Sequence, residues 1–127
     1  MIDVNVGDTL PEWRLPVTTT LVVSTALATR DYQDVHHDRD LAQSYGSQDI
    51  FLNILTTNGL VGRFVTDWAG AEVNVQSIAI RLGAPAYPGD ELVFTGSVVE
   101  VDEEVVVIDV VGNVSIGAHV TGQVVIR

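Results

Sequence analysis

The sequence predicts an α+β fold in which an antiparallel β-sheet wraps around one long central helix. Two observations carry this expectation, and a third excludes the main alternative. Residues 47–68 place Ile50, Phe51, Ile54, Leu55, Leu60, Val61, Phe64 and Val65 at spacings of three, four and seven, as one buried side of a helix requires. Residues 72–127 instead break into short runs rich in Val and Ile, separated by turn-forming clusters. No helical pattern lies between those runs, so a doubly wound parallel sheet is excluded.

Taken in order, a first short helix is expected at Thr19–Thr29 and a second from Asp38 to Ser44. The long helix is expected from Ser47 to about Trp68, with Ser47 as its cap, Asp49 at its positive end and Gly70 at its stop. At about 1.5 Å per residue, such an element runs on the order of 30 Å. Gly59 and Gly62 sit inside it despite their cost in helix propensity, which suggests a neighbouring backbone passing close by. Strands are expected at Val73–Leu82, Leu92–Val101, Val105–Val111 and Ala118–Ile126. Pro85, Pro88-Gly89-Asp90, Asp102-Glu103-Glu104 and Gly112-Asn113 are read as the turns that punctuate them. Val105 to Ile108 is apolar on both faces, which suits a central strand or one covered by another subunit. No internal repeat or linker interrupts the chain, so residues 1–127 read as one domain.

Composition narrows the function classes. With 46% hydrophobic residues, 18% charged residues and a mean hydropathy of +0.29, the chain has enough apolar surface to fold rather than stay disordered. Seventeen carboxylates against six arginines, with no lysine, give a formal charge of -11, which argues against nucleic-acid binding. The absence of cysteine removes disulfides and thiolate metal sites. No apolar run approaches the roughly 20 residues of a membrane span, and the opening MIDVNVGDTLPEW lacks the basic start of a secretory signal. A cytoplasmic protein is the resulting expectation.

Titratable groups crowd the segment Arg30 to Ala42. Asp31 and His36 stand five apart across an expected loop between helices, where both side chains can converge on one water molecule. On composition alone the structural alternative stands ahead: Asp31 capping a turn and His36 hydrogen-bonded under the helix. A metal site from His36, His37 and Asp38 is disfavoured, because adjacent side chains rarely converge on one ion and His119 lies alone on a strand pattern. Asp34, Asp38 and Asp40 read as a solvated face, and Tyr32 and Tyr45 as packing aromatics.

The run Asp31-Tyr32-Gln33-Asp34-Val35-His36 resembles the hydratase motif of the MaoC-like (R)-specific enoyl-CoA hydratases, G-D-x-N-P-[LIV]-H. Ala42 and the turn Tyr87-Pro88-Gly89-Asp90-Glu91-Leu92 are similar to that family too, as is the order of loop, long helix and strands, the order of a hot-dog fold. The resemblance runs from Val6 to Ile126. Within the family, Ser24 to Asp31, Val35 to Asp40, Asp49 to Leu55 and Val65 to Gly70 look like the small catalytic subunit of actinobacterial steroid side-chain hydratases. The chain departs from the family pattern with Arg30 for Gly, Gln33 for Asn, Asp34 for Pro, and Asp49-Ile50-Phe51 in place of a helix-opening His-Gly-Met.

The resemblance implies hydration of the 2,3 double bond of an enoyl-CoA thioester, with a 17-ene-20-carboxyl steroid side chain as the acyl group. Asp31 is then the principal base and His36 the water-positioning partner. Backbone N–H groups near Asp49 and Ile50 meet the oxyanion, if Ile50 does not merely pack. Asn53 either lines an acyl tunnel or bonds to the loop, and Arg81 is either a coenzyme A contact or a solvated strand-end residue. No metal is implied, and no cofactor beyond the coenzyme A of the substrate. The strong negative charge adds that a partner must supply most contacts to the three phosphates of coenzyme A. That agrees with a second MaoC-like hot-dog subunit in a heterodimer or heterotetramer. Two rivals share the architecture: an acyl-CoA thioesterase using Asp49, and a non-catalytic assembly subunit.

Overall fold

A computed structural model describes residues 2–127. Five antiparallel strands form one sheet in the order β1-β3-β4-β5-β2: β1 is Trp13–Pro16, β2 Val75–Leu82, β3 Glu91–Val101, β4 Val106–Val114 and β5 Gly117–Ile126. Three helices precede β2, namely α1 at Thr19–Ala28, α2 at Arg39–Ser44 and α3 at Ile54–Ala69; a single 3-10 turn, Asp34–His36, lies between α1 and α2. The expected helices and four strands are all present. The added strand, β1, covers only four residues and ends in proline, too short to show an alternating pattern.

Val106, Val107 and Ile108 are buried on β4, which occupies the centre of the sheet between β3 and β5. Val61, Phe64 and Val65 of α3 join the same core as Phe94, Val98, Ile108 and Val124 of the sheet. Trp13 stacks on Phe94 with centroids 5.2 Å apart, and Phe94 stacks on Phe64 at 5.6 Å, so one aromatic column fixes β1, β3 and α3 together.

Three expectations are corrected. First, α3 begins at Ile54, and its cap is Asn53, whose side chain accepts from the Thr56 N–H; Ser47 instead directs its hydroxyl to the Asp49 carbonyl. Residues Ile50 to Leu52 run outside the helix because their amides are used elsewhere: Phe51 donates to the Val35 carbonyl at 3.1 Å and Leu52 to the Ala86 carbonyl at 3.2 Å. The helix is therefore 16 residues long. Second, Gly112-Asn113 is not a turn; β4 continues to Val114, with an irregular register between these two residues. Gly112 is there for packing, since an added Cβ would lie 2.8 Å from Val120 Cγ1 and 3.1 Å from Phe94 Cε1. Third, no backbone approaches Gly59 or Gly62: a Cβ at Gly59 meets nothing within 4 Å, and one at Gly62 meets the Ile78 side chain at 3.0 Å.

Candidate active site

The site begins where α1 ends. The Arg30 N–H bonds to the Leu27 carbonyl and the Asp31 N–H to the Ala26 carbonyl at 2.9 Å, a closure that puts Arg30 in the left-handed region at φ 56°. This is the position where the motif carries glycine, the residue that adopts such a φ without strain. The sharp reversal turns Asp31 away from the helix axis. The 3-10 turn at Asp34–His36 then brings His36 back beneath it.

The result is the pair the sequence suggested. His36 Nε2 lies 3.3 Å from Asp31 Oδ2, with the side chains 7% and 19% exposed, so both are shielded yet the carboxylate still opens to solvent. His36 Nδ1 is 2.7 Å from the Phe51 carbonyl oxygen, which can only accept, so Nδ1 carries the proton. In the neutral ring, Nε2 is then a bare acceptor facing a second acceptor. Two acceptors side by side present two basic atoms to one water molecule. The imidazole edge also rests on the Phe51 ring, centroids 5.1 Å apart at 83°.

Asp31 is held by three groups. Its Oδ1 accepts the Gln33 N–H at 3.3 Å, and its Oδ2 accepts from Asn53 Nδ2 at 3.1 Å while facing His36. Partial burial pushes the carboxyl up, but hydrogen bonds from the Asn53 amide and the Gln33 N–H, with the positive charge of the His36 ring whenever it is protonated, outweigh it and hold Asp31 below the usual carboxylate range. Asn53 thus bonds to loop side chains: it reaches Asp31 and Thr29 Oγ1, the latter at 2.9 Å, while capping α3 with its carbonyl oxygen.

Asp49 and Ile50 do not stand at the start of α3, which corrects the expected oxyanion position. Asp49 Oδ1 takes the Ile50 N–H at 2.7 Å and lies 3.7 Å from Arg39 Nε, so that amide is occupied by its neighbour's carboxylate. The orphan donors of α3 lie further on. Among the described residues, the N–H groups of Asn53, Ile54 and Leu55 have no hydrogen-bond partner in the chain. Thr56 Oγ1, in the same turn, is a buried hydroxyl without a partner. Arg81 is exposed on β2, away from any carboxylate pairing. His37 is exposed and Asp38 caps α2, accepting the Leu41 N–H; no group of three possible metal ligands occurs among the described residues.

Sequence reasoning did not single out Thr29 or the Phe51 carbonyl. Thr29 carried no signal beyond its place at a helix end, and a backbone carbonyl carries none at all.

A hot-dog sheet with an Asp–His pair beside the start of its long helix defines the class: residues 5–119 match the MaoC like domain family, and the chain belongs to it. The 3-oxo-4,17-pregnadiene-20-carboxyl-CoA hydratase beta subunit of Mycobacterium tuberculosis (strain ATCC 25618 / H37Rv) is 54% identical over 119 residues, covering 94% of this chain and 92% of the relative. The crystal structure of the ChsH1-ChsH2 complex from Mycobacterium tuberculosis contains a chain that superposes with a TM-score of 0.95 at 52% identity, covering 97% of each chain. The (R)-hydratase from A. caviae involved in PHA biosynthesis shares the fold, with a TM-score of 0.89 at 16% identity over 98% of this chain and 96% of that one.

Proposed function

We propose that this chain is the catalytic subunit of a heteromeric enoyl-CoA hydratase that adds water across the 2,3 double bond of a steroid side-chain thioester. The observation that carries the reading is the 3.3 Å approach of His36 Nε2 to Asp31 Oδ2, with the imidazole proton held on the opposite nitrogen by Phe51. The similarity to a named 3-oxo-4,17-pregnadiene-20-carboxyl-CoA hydratase subunit supports the acyl class.

In this reading, the thioester carbonyl draws charge from the double bond and leaves C3 electrophilic. Water held between Asp31 and His36 adds its oxygen to C3 while one of its protons passes to the pair. Asp31, kept ionised, serves as principal base, and His36 orients the water and returns a proton to C2. The net change is one C–O and one C–H bond formed for one O–H bond of water and one π bond lost. General acid–base action of this kind contributes about 10²–10⁴ in rate. The enolate-like oxygen is met by the free N–H groups at the start of α3, Asn53 to Leu55, where the helix dipole also favours negative charge.

The partner reading follows from charge and exposure. Arg14 pairs with Glu12 and Glu91, Arg39 with Asp49 and Arg63 with Asp67. Arg30, Arg81 and Arg127 remain as cations for phosphate, in a chain of net charge -11. A second MaoC-like subunit supplies most contacts to the nucleotide. It also covers the exposed Leu27, Tyr32, Ile54 and Leu55 around the site and the open edge of β2. The ChsH1-ChsH2 and HadBC complexes, whose chains share this fold, support such pairing. No cofactor is required beyond the coenzyme A of the substrate. No helix is long and apolar enough to cross a membrane. A substrate drawn from the acyl-CoA pool fits an enzyme that works in the cytoplasm.

The test is hydration of 3-oxo-4,17-pregnadiene-20-carboxyl-CoA by the complex of both subunits. Asp31→Asn and His36→Ala each abolish turnover if the reading holds, while Asp49→Asn leaves it. Full activity in Asp31→Asn, or release of free thiol that stops only in Asp49→Asn, overturns it.

A further inference from the structure

One buried titratable residue has no part in the steps above. His119 of β5 is 2% exposed, and both of its ring nitrogens are engaged. Nδ1 lies 2.7 Å from the Ala84 carbonyl oxygen, which can only accept, so Nδ1 carries the proton. Nε2 of the neutral ring then accepts from Thr57 Oγ1 at 2.8 Å. Burial also disfavours the charged ring, which agrees with this tautomer.

The two partners lie on different elements, and both lead to the site. Ala84 belongs to the segment leaving β2, where Gly83 and Ala84 donate to the His119 and Ala118 carbonyls at 2.8 Å each. Two residues on, the Ala86 carbonyl accepts the Leu52 N–H at 3.2 Å, which fixes the chain just ahead of the α3 cap. Thr57 is fully buried in the first turn of α3, and its own N–H reaches the Asn53 carbonyl at 3.2 Å. A closed ring of contacts therefore runs from His119 through Ala84, Ala86, Leu52, Asn53 and Thr57 back to His119. Asn53, the member that faces outward from it, sets its amide on Asp31 Oδ2.

We infer that His119 is a positioning residue for Asp31, clamping Thr57 to Ala84 so that Asn53 and the free N–H groups at the start of α3 stay registered on the Asp31–His36 pair. The inference rests on the hydratase reading for its kinetic consequence, but not for its structural one. Among the described residues no other hydrogen bond joins β5 to this turn, so without the clip only apolar packing holds the turn against β5. Misplacement of the turn is felt in the transition state more than in substrate binding.

Thr57→Val keeps the side-chain shape and removes only the donor, so it is the principal variant. His119→Ala removes the ring, and His119→Gln offers one N–H donor and one carbonyl acceptor in its place. In the two-subunit complex acting on 3-oxo-4,17-pregnadiene-20-carboxyl-CoA, Thr57→Val lowers kcat by about 10-fold to 100-fold with KM within about two-fold. His119→Ala falls at least as far, His119→Gln recovers part of the loss, and adding Thr57→Val to His119→Ala costs nothing more. A wild-type kcat in a folded Thr57→Val complex overturns the inference. The Asp31 carboxyl titration followed by carbon-13 NMR supplies a readout independent of turnover: its midpoint rises in Thr57→Val, and an unmoved midpoint also overturns the inference. A midpoint that rises while Asp31→Asn retains full turnover upholds the clip and removes the hydratase reading instead.

Discussion

Replacing Asn53 perturbs the cap of α3 and the environment of Asp31 at once, and two substitutions separate these effects. The side chain is 2% exposed and makes three hydrogen bonds: Thr56 N–H to Oδ1 at 3.0 Å, and Nδ2 to Thr29 Oγ1 at 2.9 Å and Asp31 Oδ2 at 3.1 Å. Asn53→Ala loses the cap, at about 1 kcal/mol. It also loses the bond to an ionised carboxylate, at about 1.5–3 kcal/mol. The sum, about 2.5–4 kcal/mol, lowers the melting temperature of a chain this size by on the order of 10 °C. Turnover at neutral pH falls about 10-fold to 100-fold as the carboxylate loses its orientation. Asn53→Asp retains an acceptor for the Thr56 N–H, so the cap survives, but a second carboxylate now faces Asp31 and pushes its pKa up. This variant therefore loses turnover as severely as Asn53→Ala, and its stability at pH 7 recovers partly on mild acidification, when one of the two carboxyls takes a proton. Thermal melts followed by circular dichroism, beside hydration rates of the two-subunit complex, provide the comparison. An Asn53→Ala melt within a degree or so of the wild type, or an Asn53→Asp complex with full turnover, would refute the placement of this amide between the helix and the base.

Other expectations follow from the same geometry. Arg30→Gly relieves a left-handed residue and raises stability by about 1 kcal/mol, read as a higher melting temperature; a lower one would show that the guanidinium outweighs the strain. Gly112→Ala forces a Cβ against Val120, Phe94 and Leu92 and costs about 1–3 kcal/mol, whereas Gly59→Ala meets nothing in the chain and gains about 1 kcal/mol; equal melts for the two would contradict the packing. Asp31 titrates below its ordinary range when folded, so its stabilisation is complete above the unfolded carboxyl pKa and is lost as pH falls through the folded one; Asp31→Asn should flatten the acid limb of a stability–pH curve. Burial lowers His119 in the folded chain, with the Ala84 contact opposing it, so below pH 6.5 the unfolded chain takes up a proton that the folded chain refuses, and stability declines; His119→Gln removes that part of the slope.

Much of the architecture is legible because it depends on short-range patterns. The strands from β2 to β5 declare themselves by β-branched runs bounded by turns, and the burial of Val106 to Ile108 at the sheet centre follows from a run with no polar face. The start of α3 is misread because Ile50 and Phe51 continue the apolar spacing of the helix while their backbone does not. Their neighbours in space, Val35 and Ala86, claim the amides of Phe51 and Leu52, and a periodicity cannot show such competition. Gly112 is misread for the same kind of reason: locally it resembles a turn, and only the facing side chains of Leu92, Phe94 and Val120 require a residue without a Cβ.

Asp31 and His36 are visible by type and spacing, and the motif they resemble points to their chemistry. Their mutual distance, the tautomer imposed by Phe51 and the amide of Asn53 on Oδ2 are decided elsewhere. The order of amino acids was enough for the fold class, the strongly acidic composition and the placing of a carboxylate and an imidazole five residues apart at Asp31 and His36. Tertiary structure alone decided where α3 begins, and so which N–H groups are left free beside the pair, because a backbone amide becomes a donor for substrate only when no other part of the folded chain has taken it.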